Sequence, residues 1–191
     1  VLFIGSLNAA FCHHRVRITD AQLCHDHDLR TCVVRLNSCG STCAAAADDE
    51  HVGVVIDRDA GAGEHKGLEA AHALGEPPAR VLKTLLALVD GKPVCVVLPS
   101  DHEVSMKKLA AAFHGKSAQM MPPADAERLS GYHVGGISPL GQRKRVPTAI
   151  EAAALAHDHV LVNAGQRGLL VQLAPQALLD VLHAIAVDLV A

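Results

Sequence analysis

The stretch Val81-Leu-Lys-Thr-Leu-Leu-Ala-Leu-Val-Asp-Gly-Lys-Pro-Val-Cys-Val-Val-Leu98 decides the fold of this chain of 191 residues. It holds two apolar runs, residues 81–89 and 93–98, which are joined at Asp90-Gly91. An Asp-Gly pair between two apolar runs is a strong signal for a tight β-hairpin, because both residue types tolerate the positive φ that the turn needs. The stretch therefore predicts two antiparallel strands.

The residues around this hairpin predict further short strands and helices. β-branched and apolar runs predict three more strands, at residues 51–56, 160–163 and 169–173. Helical spacing and capping residues predict four helices, at residues 66–74, 106–113 and 124–129, and from Pro175 through Ile185. Because strands pair mostly through hairpins and helices are interspersed, we expect an α+β domain with a mixed, largely antiparallel sheet.

A second informative stretch, Gly131-Tyr-His-Val-Gly-Gly-Ile-Ser-Pro-Leu-Gly-Gln-Arg-Lys-Arg145, is typical of a rigid loop. Gly135 and Gly136 have no Cβ, so the main chain of the loop can approach a ligand closely. Pro139 fixes the exit of the loop. Three consecutive cations follow, Arg143, Lys144 and Arg145. One interpretation is that they contact the phosphates of a polyanion. The other is that they belong to a solvated loop.

Composition narrows the function classes. The net charge is −3 and 19% of the residues are charged, so any contact to nucleic acid must come from a local patch. The chain has three Phe, one Tyr and no Trp, which leaves little surface for base stacking. No apolar run approaches the roughly 18 residues of a membrane span, and no secretory leader is recognisable. We expect a soluble cytoplasmic protein with no membrane or DNA partner.

Residues 1–45 differ from the rest and are predicted to be an atypical Cys/His-rich extension, disordered or the product of a misassigned start. The clusters Cys12-His-His14 and Cys24-His-Asp-His27 hold metal-ligand atoms, but neither has the spacing of a tetrahedral zinc site. A fragment of a longer chain is another explanation, since the chain begins with Val. Residues 46–191 are predicted to form the globular domain.

Several chemistries have little support in the sequence. Ser138 is no nucleophile elbow, because the pattern G-x-S-x-G is absent and Pro139 has no N–H for an oxyanion hole. Residues 60–67 are glycine-rich but match no phosphate-loop motif, so a linker is the simpler interpretation. No motif of the H-E-x-x-H type occurs, and we expect neither a metal nor another cofactor.

Lys83 interrupts an apolar strand, and burying an ammonium is costly. One interpretation is a lysine at an edge or on a solvent face of the sheet. That interpretation is awkward, because strand alternation places Lys83 on the same face as Val81 and Leu85. The other interpretation is a functional lysine. The residue pattern leaves both open.

These pieces together resemble the YbaK/EbsC family of aminoacyl-tRNA editing domains. The resemblance covers about residues 50–185 and runs through six segments in the family's order: residues 66–75, 80–85, 106–111, 131–132, 135–142 and 163–169. It implies a mixed sheet curled into a partial barrel, with helices packed outside. It also implies an enzyme that removes cysteine from mischarged Cys-tRNA(Pro), with the thiol of the substrate attacking its own carbonyl.

The resemblance also implies roles for individual residues. Lys83 falls on the family's catalytic lysine and would hold the terminal ribose and phosphate. The residues implied to bind the substrate are Thr84, Gly135, Gly136, Ile137, Ser138, Pro139, Asn163, Gly165, Arg167 and Gly168. The implied partners are mischarged tRNA and proline–tRNA ligase.

Two departures from the family pattern leave the substrate open. The stretch Ile56-Asp-Arg-Asp59 lacks the family's tyrosine, and Leu170 stands where many members have a polar or acidic residue. The alternatives are a deacylase for another misacylated tRNA, such as Ala-tRNA(Pro), and a module that binds tRNA or the synthetase without catalysis.

Overall fold

A computed structural model describes residues 33–36, 52–56 and 66–191 of the chain. Nine strands lie in this part: β1 (Val33–Leu36), β2 (Val52–Ile56), β3 (Val81–Val89), β4 (Lys92–Pro99), β5 (Ala118–Met120), β6 (Thr148–Glu151), β7 (Val160–Asn163), β8 (Leu169–Leu173) and β9 (Ile185–Val187). The helices are α1 (Lys66–Leu74), α2 (Met106–Ala112), α3 (Pro123–Ser130) and α4 (Pro175–Leu182), with short 3-10 turns at Pro78–Arg80 and Ala152–Ala156.

The strands form one open sheet in the order β1-β2-β8-β7-β3-β4-β6-β9, and β5 also pairs with β3. The pairs β3–β7, β4–β6 and β6–β9 are parallel. The other five pairs are antiparallel. Helix α1 packs against β3, and helix α2 packs against β5. The predicted fold class is therefore confirmed, an α+β domain with a mixed, largely antiparallel sheet that does not close.

The central hairpin forms as predicted. Asp90 and Gly91 have φ values of 47° and 79°, so both turn residues are left-handed, as a tight hairpin requires. The second predicted hairpin, β7–β8, is also present. Ser105 accepts a hydrogen bond from the Lys108 N–H and caps α2, as its position predicted.

The prediction for the C-terminal helix was wrong at its end. Helix α4 stops at Leu182, because His183 takes a left-handed conformation with φ 50° and its N–H bonds back to the Asp180 carbonyl. Ile185 then begins β9, which pairs in parallel with β6. The helical spacing of Ile185 therefore does not reflect a helix, because the segment pairs with the open edge of β6 instead.

Strand β1 was not predicted either. It lies within residues 1–45, and its main chain pairs antiparallel with β2. The Cys/His clusters at residues 12–14 and 24–27, the boundary at residue 45 and the stretch Asp57–Asp59 lie outside the described residues. Of the described helices, none has the length and hydropathy to cross a bilayer.

Alternate residues of β3 contribute to cores on the two faces of the sheet. Leu82 and Leu86 belong to the main core, which includes Ile150. Ala87 and Val89 face the other way and join the core beneath α2. Since both faces of β3 are covered, its side chains are held firmly, and this positions the site described next.

Candidate functional site

Strand pairing along one edge of β3 is interrupted, and a cavity opens there. On one side β4 pairs with residues 82–89 of β3. On the other side β7 pairs only with Val81 and Leu82, and β5 only with residues 87–89. The cavity at this interruption has a volume of about 400 Å³. That volume lies in the range of small-molecule sites.

Three distant parts of the chain meet at this cavity: β3, the loop at residues 131–145, called the glycine-rich loop below, and the β7–β8 turn at residues 164–168. The predicted site residues that line it are Lys83, Thr84, Gly135, Ile137, Asn163, Arg167 and Gly168. The Asn163 Nδ2 donates a hydrogen bond of 3.4 Å to the Gly135 carbonyl. This bond ties the turn to the loop across the cavity wall.

Lys83 is half-buried, and its Nζ donates to the main-chain carbonyl of Ser100 at 3.3 Å. Burial lowers the pKa of Lys83 from its usual 10.5, whereas the negative charges of Glu103 and Asp101 oppose that shift. An ammonium has three donors, and Ser100 is the one acceptor for it among the described residues. A protonated Lys83 can therefore offer N–H donors to a ligand in the cavity.

Thr84 follows Lys83 in the strand, so its side chain lies on the opposite face of the sheet. The residue is 9% exposed, and its Oγ1 is buried with no hydrogen-bond partner among the described residues. Leaving a buried hydroxyl unpaired costs about 1–3 kcal/mol. Unsatisfied groups of this kind are rare in native proteins and call for an explanation such as a ligand.

The glycine-rich loop comes very close to the β7–β8 turn. Gly135 has a φ of 89°, a left-handed conformation that favours glycine. A Cβ on Gly136 would lie 3.2 Å from the Arg167 nitrogen and 3.3 Å from Gln166 main-chain atoms. The two glycines are therefore needed for backbone conformation and for close approach, respectively.

Hydrogen bonds brace the rest of this loop from behind. Ser138 is fully buried, its Oγ accepts from the Leu140 N–H at 3.1 Å, and its carbonyl accepts from the Gln142 Nε2 at 2.9 Å. The Tyr132 hydroxyl donates to the Leu140 carbonyl at 2.9 Å. Ser138 and Pro139, both predicted to bind substrate, are buried outside the lining of the described cavity. Both residues therefore support the loop from outside this cavity.

Gly136 and Gly165 lie on a neighbouring cavity of about 510 Å³, which Arg167 also lines. Arg167 Nη2 donates to the Val134 carbonyl at 3.1 Å, so its guanidinium stands at the partition between the two cavities. Gly165 has a φ of 98°, and a Cβ there would lie 2.6 Å from the Tyr132 ring. Gly165 thus lets the tyrosine pack under the turn.

The three consecutive cations do not line either cavity as described. Arg143, Lys144 and Arg145 are exposed. None of them makes a salt bridge within the described part of the chain. They remain available to a polyanion that extends beyond the cavity, and their predicted phosphate contacts stay a prediction.

Sequence reasoning missed Ser100, Met120 and Met121, which also line the cavity. Ser100 holds Lys83 through a main-chain carbonyl, which no side-chain pattern reveals. Met120 is 44% exposed, an unusual state for a large apolar side chain, but exposure requires the structure. Among the described residues, no group of three or more Cys, His, Asp or Glu could hold a metal ion.

Comparison with known proteins agrees with this arrangement. The family model "Aminoacyl-tRNA editing domain" matches residues 64–181. EbsC of Enterococcus faecalis (strain ATCC 700802 / V583), whose name proposes a Cys-tRNA(Pro)/Cys-tRNA(Cys) deacylase, is 37% identical over 119 residues, which is 61% of this chain and 73% of EbsC. The proline–tRNA ligase of Acidithiobacillus ferrooxidans (strain ATCC 53993 / BNL-5-31) is 33% identical over 87 residues, 46% of this chain but only 15% of the ligase.

A solved structure shares the fold. A crystal structure described as a proposed trans-editing enzyme for prolyl tRNA synthetase superposes with a TM-score of 0.66 at 21% identity, covering 73% of this chain and 87% of that chain. The family match spans α1, all of β3, the glycine-rich loop and the β7–β8 turn, which together form the cavity. The chain therefore belongs to the YbaK-like family of aminoacyl-tRNA editing domains.

Proposed function

We propose that this chain is a trans-editing deacylase that removes a wrongly attached amino acid from tRNA, with Cys-tRNA(Pro) as its substrate. The observation that carries the proposal is the cavity at the interrupted edge of β3, where Lys83, Gly135 and Asn163 come together. The relatives support the choice of substrate, because EbsC is named for Cys-tRNA(Pro) and a part of this chain is also similar to proline–tRNA ligases.

The chemistry suits a cavity without a strong nucleophile of its own. An aminoacyl ester is already activated, so orienting it and placing donors at its oxygens can supply much of the acceleration. In the thiol-assisted route, the sulfur of the substrate cysteine bonds to its own carbonyl carbon and the ester C–O bond breaks. The thiol proton passes to the departing ribose oxygen, which leaves a cyclic thioester and free tRNA.

In this proposal Lys83 acts as a protonated donor to the terminal ribose and phosphate. The carboxylates of Asp101 and Glu103 favour the protonated form against the effect of burial, and the substrate phosphate favours it further. The exposed cations at 143–145 contact tRNA phosphates beyond the cavity. Proline–tRNA ligase is the proposed partner that selects the tRNA, since the domain is small and has a net charge of −3.

A panel of charged tRNAs tests the function. We expect the purified chain to deacylate Cys-tRNA(Pro) faster than Ala-tRNA(Pro) and to leave Pro-tRNA(Pro) intact. If Ala-tRNA(Pro) is deacylated faster than Cys-tRNA(Pro), the chain is still a deacylase, but the substrate thiol is not required for its mechanism. Binding of charged tRNA with no turnover of any of the three would favour the non-catalytic module instead.

A further inference from the structure

The backbone N–H and C=O groups of β3 alternate between the two edges of the strand. The Ser100 N–H donates to the Val81 carbonyl at 2.9 Å, and the antiparallel register places Leu82 opposite Pro99. In such a ladder, residues alternate between bonding the partner strand and facing away from it. The N–H and C=O groups of odd-numbered residues in β3 therefore point to β4, and those of even-numbered residues point to the other edge. Pro99, which has no N–H, fits its place opposite an even-numbered residue.

Within the described part of the chain, the other edge is paired at both ends of the cavity but not between them. Strand β7 pairs with Leu82, and the Met121 N–H donates to the Leu86 carbonyl at 3.0 Å. Thr84 is the even-numbered residue between these two. Its N–H and C=O face the cavity with no backbone partner among the described residues, and its Oγ1 is also without a partner there.

The length of this interruption limits what can occupy it. Leu82 and Leu86 are four residues apart, which is about 13 Å along a strand. Met121 closes one end of the interval and β7 closes the other. One strand residue can pair with Thr84, but an extended peptide would have to displace β5 or β7. The site therefore favours a single aminoacyl unit over a peptide.

An aminoacyl ester offers the matching groups. Its α-ammonium is a donor and its carbonyl oxygen is an acceptor, spaced as in one residue of a strand. In each hydrogen-bonded pair of an antiparallel ladder, the two residues that face each other exchange both hydrogen bonds. We propose, on the basis of the function proposed above, that Thr84 binds the aminoacyl group as one residue of a strand. The Thr84 C=O accepts from the α-ammonium, and the Thr84 N–H donates to the ester carbonyl oxygen.

This mode of binding has two consequences for the substrate. Recognition by the main chain of Thr84 does not depend on the amino-acid side chain, so selectivity between side chains comes from the space around it. A free α-amino group is required, because an N-acyl extension would run into β5 or β7 at the closed ends of the interval. Peptidyl-tRNA and N-acylated aminoacyl-tRNA are therefore excluded from the cavity.

Binding can be tested without turnover. The chain has five threonines, so protein labelled with [15N]threonine gives few amide signals, and Thr84→Val identifies the Thr84 signal by its loss. The ligand is 3′-alanylamido-3′-deoxyadenosine, in which an amide replaces the ester. We expect the Thr84 signal to shift and its hydrogen exchange to slow at least tenfold, while Thr148 in β6 stays unchanged. The N-acetyl form of the ligand should bind at least tenfold more weakly.

Replacing main-chain amides by esters provides a second measurement. Replacing Leu85 by the corresponding α-hydroxy acid turns the peptide bond between Thr84 and Leu85 into an ester. This change weakens the Thr84 carbonyl as an acceptor and removes the Leu85 N–H, which faces β4. The same change at Val89 removes an equivalent N–H but weakens a carbonyl that faces β5. We expect the position-85 ester to bind the ligand at least tenfold more weakly than the Val89 ester.

The results separate this inference from the proposed function. If the ligand binds and shifts Thr84 but charged tRNA is not deacylated, the proposed function is wrong and the binding mode stands. If the ligand binds while the Thr84 signal is unaffected, or if the two esters bind equally well, the binding mode is overturned. Absence of any binding of the ligand would overturn it as well.

Discussion

Lys83 and Thr84 are neighbours in β3, yet their side chains lie on opposite faces of the sheet and border the same cavity. This is possible because, among the described residues, the edge of β3 that faces away from β4 is unpaired at Thr84, so the cavity extends around that edge from one face to the other. The lysine face carries charge, with Glu103 and Asp101 near the ammonium. The threonine face is adjacent to the glycine-rich loop and is mostly apolar.

Substitution of Gly136 should disrupt this site. A Cβ in Gly136→Ala would press on the main chain of Gln166 and Arg167 at 3.2–3.3 Å, and backbone atoms cannot rotate away. We expect kcat/KM for deacylation to fall at least tenfold, with a loss of about 1–3 kcal/mol in the free energy of unfolding. Gly136→Val should abolish deacylation while the fold largely persists.

Gly75→Ala is the matched control for this change. Gly75 has a φ of 68° but no atom within 4 Å of an added Cβ. The substitution should therefore reduce stability by backbone strain alone, about 1 kcal/mol, and leave kcat/KM unchanged. Full activity of Gly136→Ala would show that the loop and the turn separate without consequence, and the role of the loop would have to be abandoned.

Tyr132→Phe should loosen the glycine-rich loop. The change removes the hydrogen bond from the Tyr132 hydroxyl to the Leu140 carbonyl and keeps the ring that packs beside Gly165. We expect the free energy of unfolding to fall by about 1 kcal/mol in urea titrations. His133→Ala, at an exposed neighbour, should have no such effect. Equal stability of the two variants would contradict the bracing role.

The acidic neighbours of Lys83 should control the alkaline limit of activity. If deacylation needs the protonated ammonium, kcat/KM falls as the pH rises through the Lys83 pKa, which burial places below 10.5. Glu103→Gln removes an attraction that raises this pKa, so the falling limb should move to lower pH. Asp125→Asn, at an exposed ion pair with Arg128, should leave the limb unchanged. The measured rates are corrected for spontaneous ester hydrolysis. If kcat/KM of Glu103→Gln falls at the same pH as in the wild type, the result would argue against a protonated Lys83.

The same shift affects stability. The folded state binds the Lys83 proton less tightly than the unfolded state, so the charged lysine destabilises the fold at neutral pH. This penalty is complete below the folded pKa and disappears as the pH rises toward 10.5. Lys83→Met should therefore be more stable than the wild type in urea at pH 7, even though we expect it to be inactive. Lower stability of Lys83→Met would mean that the ammonium contributes net stabilisation.

Cys95 should be unreactive in the folded protein. Burial raises the pKa of its thiol to about 12, although hydrogen bonds from Gln142 and Thr148 partly oppose the shift. The thiolate fraction at pH 8 is then on the order of 10⁻⁴. Iodoacetamide should modify the Cys95 peptide only in urea, as mass spectrometry would show. Because the unfolded thiol ionises from about pH 9.0, stability should fall between that pH and 12. Modification of Cys95 under native conditions would contradict its burial.

Much of the fold could be predicted because it rests on local signals. The Asp90-Gly91 turn fixes the central hairpin, and Ser105 marks the start of α2. The shorter elements depend on distant partners. Ala118–Met120 becomes a strand only because β3 offers it an edge, and Ile185 leaves the helical pattern because β6 offers one too.

The candidate site shows the same division. Lys83 stood out because a charge interrupts an apolar strand, and Gly135 because two glycines precede a proline-containing turn. The interruption in pairing at Thr84 could not be read from the sequence, since it arises from where β5 and β7 end relative to β3. The contact between Lys83 and Ser100 depends on the register of β3 and β4 in the same way.

Single-turnover deacylation of Cys-tRNA(Pro) by the wild type, Lys83→Ala and Lys107→Ala tests the central claim most directly. Lys107 is an exposed lysine of α2 outside both cavities, so it controls for the general loss of a positive charge. We predict that Lys83→Ala lowers the rate at least 100-fold while tRNA binding is retained, and that Lys107→Ala matches the wild type. Equal rates for all three proteins would contradict the claim that deacylation takes place in the cavity at the interrupted edge of β3.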